Sequence, residues 1–467
     1  GKKMKPNILF IFADQHRHNI MGCAGHPIVQ TPHLDAIADE GVRFTKTWCQ
    51  SPICQPSRAS VITGRYPHEL DVISNDGGFN PDWPTVMKQL QGAGYETATI
   101  GKTHYHESYQ PPKDGGKIDM RSQEGFVQSF GWDYVLEEYD KYLHASSRLT
   151  TPYTEYLAQH GRLDDYRAQI KSAFRLTPEH WRGQTSVLPQ ELDLSSFLAD
   201  QTDQWLRQRS TDKPFMLKLA FVQPHVPLIA DPVWSEYYAN ANIDVPPLDP
   251  PEATTPGWEK YLAVLSNHSQ TQMMDHDFVE AGIRQYLGMV SLVDQKIGEV
   301  LATLKELGQL DNTWIVYTSD HGEMLGEHKL WAKMNFYNGA VQVPLIIRPP
   351  GGAPARTEDA LVELTDVTAT LADIGGAEPP EGCHGQSVLA AVEKPIEGRE
   401  FLFSRIGNFA GMRNASHRLT MNLKDETPCE LFNMNNDPGE LVNLVNENAS
   451  KDLVNDLGAR LKAHLTD

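Results

Sequence analysis

Cys54, Pro56, Ser57 and Arg58 stand together in the stretch Ser51-Pro-Ile-Cys54-Gln-Pro56-Ser57-Arg58, ahead of a short apolar run that stops at Gly64. Proline at a first helical position and glycine at a C-terminal cap predict a short helix from about Pro56 to Gly64. Cys54 then lies just before a helix N-terminus, where unpaired backbone N–H groups and the positive end of the dipole suit an anion. Arg58 adds a cation in the first turn. On these residues alone a reactive thiol and a small buried cysteine stand at even odds.

Four further groups could carry chemistry, and each follows an apolar run. Asp14-Gln15 follows Asn7–Ala13. Lys102 and His104 follow the run ending at Ile100, two residues apart and so facing the same way if the segment is extended. His225, in Pro224-His225-Val-Pro227, follows Phe215–Val222. Asp320 and His321 follow Trp314–Thr318, and an acid with an imidazole at a strand end can both ligate a divalent cation. Lys333 sits in a polar loop beyond Gly326-Glu-His328. Taken singly, each reads as well as a loop acid, a surface lysine or a satisfied histidine.

The elements behind these residues have one character. Runs such as Asn7–Ala13, Phe215–Val222, Trp314–Thr318 and Val343–Arg348 are apolar on both faces, as buried strands of a helix-covered sheet are. Helical spacing covers Pro32–Gly41, Thr85–Leu90, Phe197–Leu206, Ile283–Leu304 and Thr365–Gly375. Ligand residues gather at the C-terminal ends of strands in such sheets. Residues 106–198 lack a clean period, and 232–256 read as a proline-rich surface excursion.

Cys54-x-Pro56-Ser57-Arg58 with Thr63-Gly64-Arg65 closely resembles the signature of the type I sulfatases, in the alkaline phosphatase superfamily. Gly101-Lys102-x-His104, Pro224-His225-x-Pro227, Asp320-His321 and Lys333 match further blocks of that family in order, so the likeness covers most of the chain. It implies an α/β/α sandwich with a large mixed sheet over residues 1–376 and a smaller C-terminal α+β domain over 377–467. It implies that Cys54 is oxidised to formylglycine by a maturation enzyme, and that the aldehyde hydrate attacks sulfur in line. Asp14, Gln15, Cys54, Asp320 and His321 would face a divalent cation, Ca²⁺ in most members. The common pattern has aspartate where Gln15 stands, so this ligand would bring less charge. Arg58, Lys102 and His104 would hold the hydrate, while His225 and Lys333 would bind the sulfuryl group and protonate the leaving oxygen. Asn75 matches an active-site asparagine, although Ser74-Asn75-Asp76-Gly77-Gly78 is also an ordinary turn.

Composition sets bounds on this reading. The 467 residues carry 41 basic and 61 acidic side chains, a net charge of −20, which argues against broad nucleic-acid or membrane-surface binding. An anionic substrate must then be drawn by a local basic cluster. Five cysteines make no disulfide framework and favour a reducing compartment. No signal-peptide pattern is present, so the expectation is cytoplasmic, with a periplasmic or secreted protein freed of its signal peptide as the alternative. His16, His18, His26 and His33 read as solvated or structural, His328 as structural, Cys23 and Cys49 as buried, and the sequons at Asn267, Asn414 and Asn448 as weak. The expected activity is sulfate-monoester hydrolysis, with a sulfated carbohydrate as substrate, held by aromatics and carboxylates of 106–198 and 232–277, and aryl sulfates as surrogates. The alternatives are a phosphonate or phosphate ester hydrolase of the same superfamily, and a non-catalytic sulfoglycan-binding protein if Cys54 is never converted.

Overall fold

The nine strands β1 Asn7–Ala13, β2 Val42–Trp48, β3 Glu96–Gly101, β4 Tyr134–Glu137, β5 Phe215–Ala220, β6 Thr313–Ser319, β7 Gln342–Arg348, β8 Arg356–Glu358 and β9 Val362–Glu363 form one sheet. The computed structural model describes residues 4–106, 114–175, 182–266, 271 and 273–467, and the Asn267 sequon lies outside them. The strand order is β8-β2-β7-β6-β1-β5-β3-β4, with β9 also paired to β2. From β6 to β4 all neighbours run parallel, and β7 is antiparallel to both of its neighbours. β1, apolar from Ile8 to Ala13, is therefore central, and every one of its residues is buried.

Helices α1 Pro32–Asp39, α2 Cys54–Thr63, α3 Val86–Gly92, α4 Leu194–Gln208, α5 His276–Glu306 and α6 Leu364–Ile374 cover the sheet. Alternation along β1 sends Leu9 and Ile11 to one face, where they meet Leu34 of α1, Leu198 of α4 and Ile297 of α5. Phe10 and Phe12 point to the other face and meet Val61 of α2, Leu90 of α3 and Val367 of α6. These two apolar layers give the three-layer sandwich that the sequence predicts. A second sheet follows, the antiparallel order β10 Leu402–Ile406, β11 Phe409–Arg413, β12 His417–Asn422 and β13 Thr427–Asn433, packed on α7 Lys451–Thr466 through Leu419, Leu431 and Leu457. Main-chain and side-chain bonds join the two sheets, with Gln50 Nε2 donating to Phe403 O (3.2 Å) and Phe403 N donating to Glu363 Oε2 (2.8 Å).

Several boundaries differ from expectation. α2 begins at Cys54, so the thiol belongs to the first turn and Pro56 is its third residue. A third-position proline costs nothing, since that N–H has no helical partner. Gly64 caps the helix in the left-handed conformation (φ 71°), and Cys383 packs so close that any Cβ there would collide with its sulfur. α5 starts at His276, ahead of the periodic run, because Phe278 and Val279 bury against Trp331 and its neighbours. Residues 106–198 contain the helices Pro152–Gln159 and Leu163–Ala173, and Trp132, Tyr139 and Tyr153 are core residues. The stretch 232–256 opens with the helix Pro232–Tyr238, whose Tyr238 is buried, before running on without helix or strand, and just beyond it Pro256–Ser266 is helical, with buried Trp258 packed on Phe409. Trp132, Tyr139, Tyr153 and Trp258, among the aromatics expected to shape a sugar site, are thus spent on packing. His16 is buried between Tyr317 and the Ile20 carbonyl, His328 stacks on Tyr337, and Cys49 is buried, each a structural role. No helix among the described residues is long and apolar enough to cross a membrane.

Candidate active site

Ala13 and Ser319 are partners in the parallel β1–β6 register, so the next residues, Asp14 and Asp320, leave the sheet side by side. Both are fully buried. Asp320 is fixed by backbone donors: Gln15 N (3.0 Å) and His321 N (2.8 Å) both bond its Oδ1. Arg58, from the first turns of α2 and also fully buried, reaches across to both acids. Its Nη2 lies 3.2 Å from Asp14 Oδ2, its Nε 3.1 Å from Asp320 Oδ2, and its Nη1 donates to Lys102 O at 2.6 Å. Ser57 donates to Asp320 O at 2.6 Å, so two residues of the signature tie α2 to the strand ends.

Cys54 Sγ is held where these groups converge. His321 Nε2 stands 3.3 Å from it, Lys102 Nζ 3.7 Å and Asp14 Oδ1 3.9 Å. Burial pushes this thiol up, but Lys102, Lys333, His321 and a hydrogen bond from His104 outweigh it and hold the thiol well below its ordinary range. Asn75 accepts from the Gln55 N–H (2.8 Å), capping the first turn of α2. The expectation of free N–H groups there is corrected at that donor, because the asparagine has taken it. Lys102 and His104 do converge on Cys54, but not along an extended strand: His104 is left-handed (φ 62°).

His225 and Lys333 close the other side. Lys333 Nζ is 3.3 Å from His225 Nε2 and donates to Gln15 Oε1 at 2.6 Å. His225 Nδ1 donates to its neighbour's carbonyl, Val226 O, at 2.7 Å, which leaves Nε2 toward Lys333. Gln15 is held at both ends of its amide: Nε2 donates to buried Glu323 (2.9 Å), and its carbonyl oxygen accepts from Lys333. Five non-glycine residues of the loop bearing Lys333, namely Leu325, His328, Lys329, Ala332 and Met334, have positive φ. Such backbone persists only where surrounding contacts over-determine it.

The donor atoms of Asp14, Cys54, Asp320 and His321 lie within 4.8 Å of one another. Burial first, and then the charge of Asp14, push the Asp320 carboxyl up, although His321 and Arg58 oppose this. Asp14 is also pushed up by burial and by Cys54, but Lys102, His225 and Arg58 outweigh this and keep it below its ordinary value. Two buried carboxylates aimed at one point, with an imidazole beside them, are a donor set that fits a divalent cation.

All eleven residues singled out in the sequence therefore meet at one edge of the sheet. Two that sequence reasoning missed join them. Asp140 lies past the short strand β4, with Oδ1 2.6 Å from Lys102 Nζ, and Glu323 orients Gln15. An acid just beyond a strand end was the available signal for Asp140, but the four residues of β4 are too few to show a period.

Comparison with known proteins follows the same lines. Residues 6–377 match the family model described as Sulfatase, and residues 326–467 match the model described as N-sulphoglucosamine sulphohydrolase, C-terminal. The chain is 26% identical to an arylsulfatase of Clostridium perfringens (strain 13 / Type A), covering 97% of this chain and 92% of that one. It is 28% identical to an N-acetylglucosamine-6-O-sulfatase of Bacteroides thetaiotaomicron, covering 94% and 82%. Among solved structures, a phosphonate monoester hydrolase from Silicibacter pomeroyi superposes with a TM-score of 0.77 at 25% identity, covering 98% of this chain and 95% of that one.

Proposed function

This chain belongs to the sulfatase family and is a sulfuric ester hydrolase, and from that premise we propose that it cleaves the S–O bond of a sulfated carbohydrate with position 54 as the nucleophile. The observation that carries this reading is the setting of Cys54 Sγ, ringed by Lys102, His321 and Asp14 at 3.3–3.9 Å in the first turn of α2. Sγ marks where the oxygens of a formylglycine hydrate would stand after conversion. The carbohydrate assignment leans on the glucosamine sulfatases that this chain resembles.

Asp14, Asp320 and His321 would hold the metal, and its oxygen-weighted donor set suits Ca²⁺. When bound, such a cation neutralises charge on the sulfuryl oxygens and orients the nucleophile. The remaining work falls to the chain's own side chains. Arg58 bonds both carboxylates and holds them in place. Lys102 and His104 hold the attacking oxygen and favour its ionised form. Lys333 and His225 face the sulfuryl group, and with Nδ1 committed to Val226 O, His225 presents Nε2 to the leaving oxygen. Lys333 Nζ, 3.3 Å away, can supply the proton that Nε2 passes on. An alkoxide leaves less readily than a phenoxide. Replacing His225 should therefore slow sugar-sulfate hydrolysis more than aryl-sulfate hydrolysis.

The test has two parts. The mass of the Cys54 peptide should be lower than that of the cysteine form, reporting conversion. Turnover should be measured on a panel of sulfated mono- and oligosaccharides, on an aryl sulfate and on a phenylphosphonate ester. Sugar-sulfate turnover with a converted Cys54 supports the reading; an unconverted, active protein or a preference for phosphonate sinks it. The phosphonate arm is included because of the likeness to the Silicibacter hydrolase.

A further inference from the structure

Asp140 lies outside every sequence block of the site, yet it is 4% exposed and faces its centre. Its Oδ1 accepts from Lys102 Nζ at 2.6 Å. The same ammonium contacts Asp14 Oδ2 and stands 3.7 Å from Cys54 Sγ, so it is clamped between two carboxylates with the nucleophile position beside it. The two clamps are not equivalent. Asp14 Oδ2 is already shared with Arg58 (3.2 Å), and Asp14 is an expected metal ligand. An oxygen already shared with a guanidinium has less hold on the ammonium. Asp140 carries no arginine and is hydrogen-bonded otherwise to the Tyr142 hydroxyl.

We propose that Asp140 is a positioning residue that fixes the Lys102 ammonium against position 54. The inference rests on the reading of Lys102 and position 54 given above. A second cation site is the competing use of this carboxylate, because ligand atoms of Asp14, Asp140 and His225 also fall within 4.8 Å of one another. Geometry disfavours it: Lys102 Nζ stands on both carboxylates, occupying the place such an ion would take. His225 Nδ1 is 3.8 Å from Asp140 Oδ1, but its proton goes to Val226 O at 2.7 Å. The charge of Asp140 is thus left to Lys102. Its loss should leave the ammonium to Asp14 alone and draw it off the attacking oxygen, which lowers kcat and spares the sulfuryl contacts that set KM.

The experiment is a double-mutant cycle on the converted, metal-loaded enzyme with an aryl sulfate, using wild type, D140N, K102A and D140N/K102A. D140N is expected to lower kcat about 100-fold with KM changed less than about threefold. Metal content per chain, read by elemental mass spectrometry, should stay at the wild-type value. D140N/K102A should be no slower than K102A, because a residue acting through a lysine has nothing to do once the lysine is gone. Unchanged kcat in D140N, metal loss, or a D140N cost that persists in the K102A background would each overturn the proposal. Should D140N fail to fold, D140E keeps the charge on a longer arm; its kcat deficit should vanish in D140E/K102A, and a surviving deficit overturns the proposal. Full activity in K102A would instead refute the reading of the site itself, whereas an inactive K102A beside a fully active D140N refutes only the role of Asp140.

Discussion

The Arg418 and Arg58 clusters are both buried, and they are built on opposite plans. Beneath the small sheet, Arg418 is pinned by Glu440 (Nε, 2.7 Å), Glu430 (Nη1, 3.0 Å) and Thr420 (2.8 Å), and its guanidinium lies on the rings of Tyr337 and Phe432. Glu440 also accepts from the Asn338 N–H at 2.8 Å, so the cluster ties the loop after the site to the second sheet. Opposite charges touch there, and the two acids sit on separate sides of one cation. At the strand ends of the large sheet, Asp14 and Asp320 instead face the same point, and Arg58 is shared between them. Burying ions is expensive and is repaid only when partners are well placed. A fold has no need to aim two buried carboxylates at each other; a dication between them gives that arrangement a purpose.

The comparison can be broken most severely at position 54. Cys54→Ala should lower aryl-sulfate kcat/KM by about 10⁴-fold or more, while the denaturation midpoint moves little, since a small side chain in a polar site carries little packing energy. Near wild-type turnover would end the nucleophile assignment. Asp320→Asn comes next: activity should fall about 10³-fold with loss of bound metal, yet its stability should match or exceed that of metal-free wild type, because one of two repelling carboxylates is gone. Arg418→Met inverts that pattern. It leaves Glu430 and Glu440 buried without their cation and should cost about 3–5 kcal/mol in denaturant titrations, while kcat per folded molecule stays within about twofold. If Arg418→Met abolished activity without loss of stability, the division between the two clusters would be wrong.

Metal removal sharpens the contrast at smaller scale. Restoring Ca²⁺ to chelator-treated protein at 100 times its Kd should add about 2.7 kcal/mol of stability. Asp320→Asn should show no such gain, and Arg418→Met should show all of it. A pH-dependent effect concerns Lys218 of β5, buried under the site with its Nζ lacking a hydrogen-bond partner among the described residues and resting on the Phe12 ring. Burial first, then Arg58, push its amine down to about 7, against Glu137 and Asp320. With the folded value below the ordinary one, the folded protein binds fewer protons than the unfolded chain between those two values. Wild type should therefore lose stability as pH falls from about 10 to about 7, then level off, and the stability advantage of Lys218→Met over it should grow across that window. A difference that stays flat with pH would mean that this lysine keeps its charge when buried.

The sequence by itself determined where the chemistry lies along the chain. A strand buried on both faces is mostly apolar, so β1, β5, β6 and β7 show in the residue order, and polar residues just past their ends stand out as candidates. The Cys54 block was legible because its spacing is local, within one helix start. Tertiary structure alone decided how those residues engage one another. Asp140 comes from a stretch without periodicity and meets Lys102 only because β4 pairs with β3 in parallel register. The start of α5 and the burial of Trp258 depend on partners in other elements, which no local pattern records. Gln15 shows the reason most plainly: an amide can present either its oxygen or its nitrogen, and which one faces the site is set by Glu323 and Lys333, more than 300 residues away in the chain.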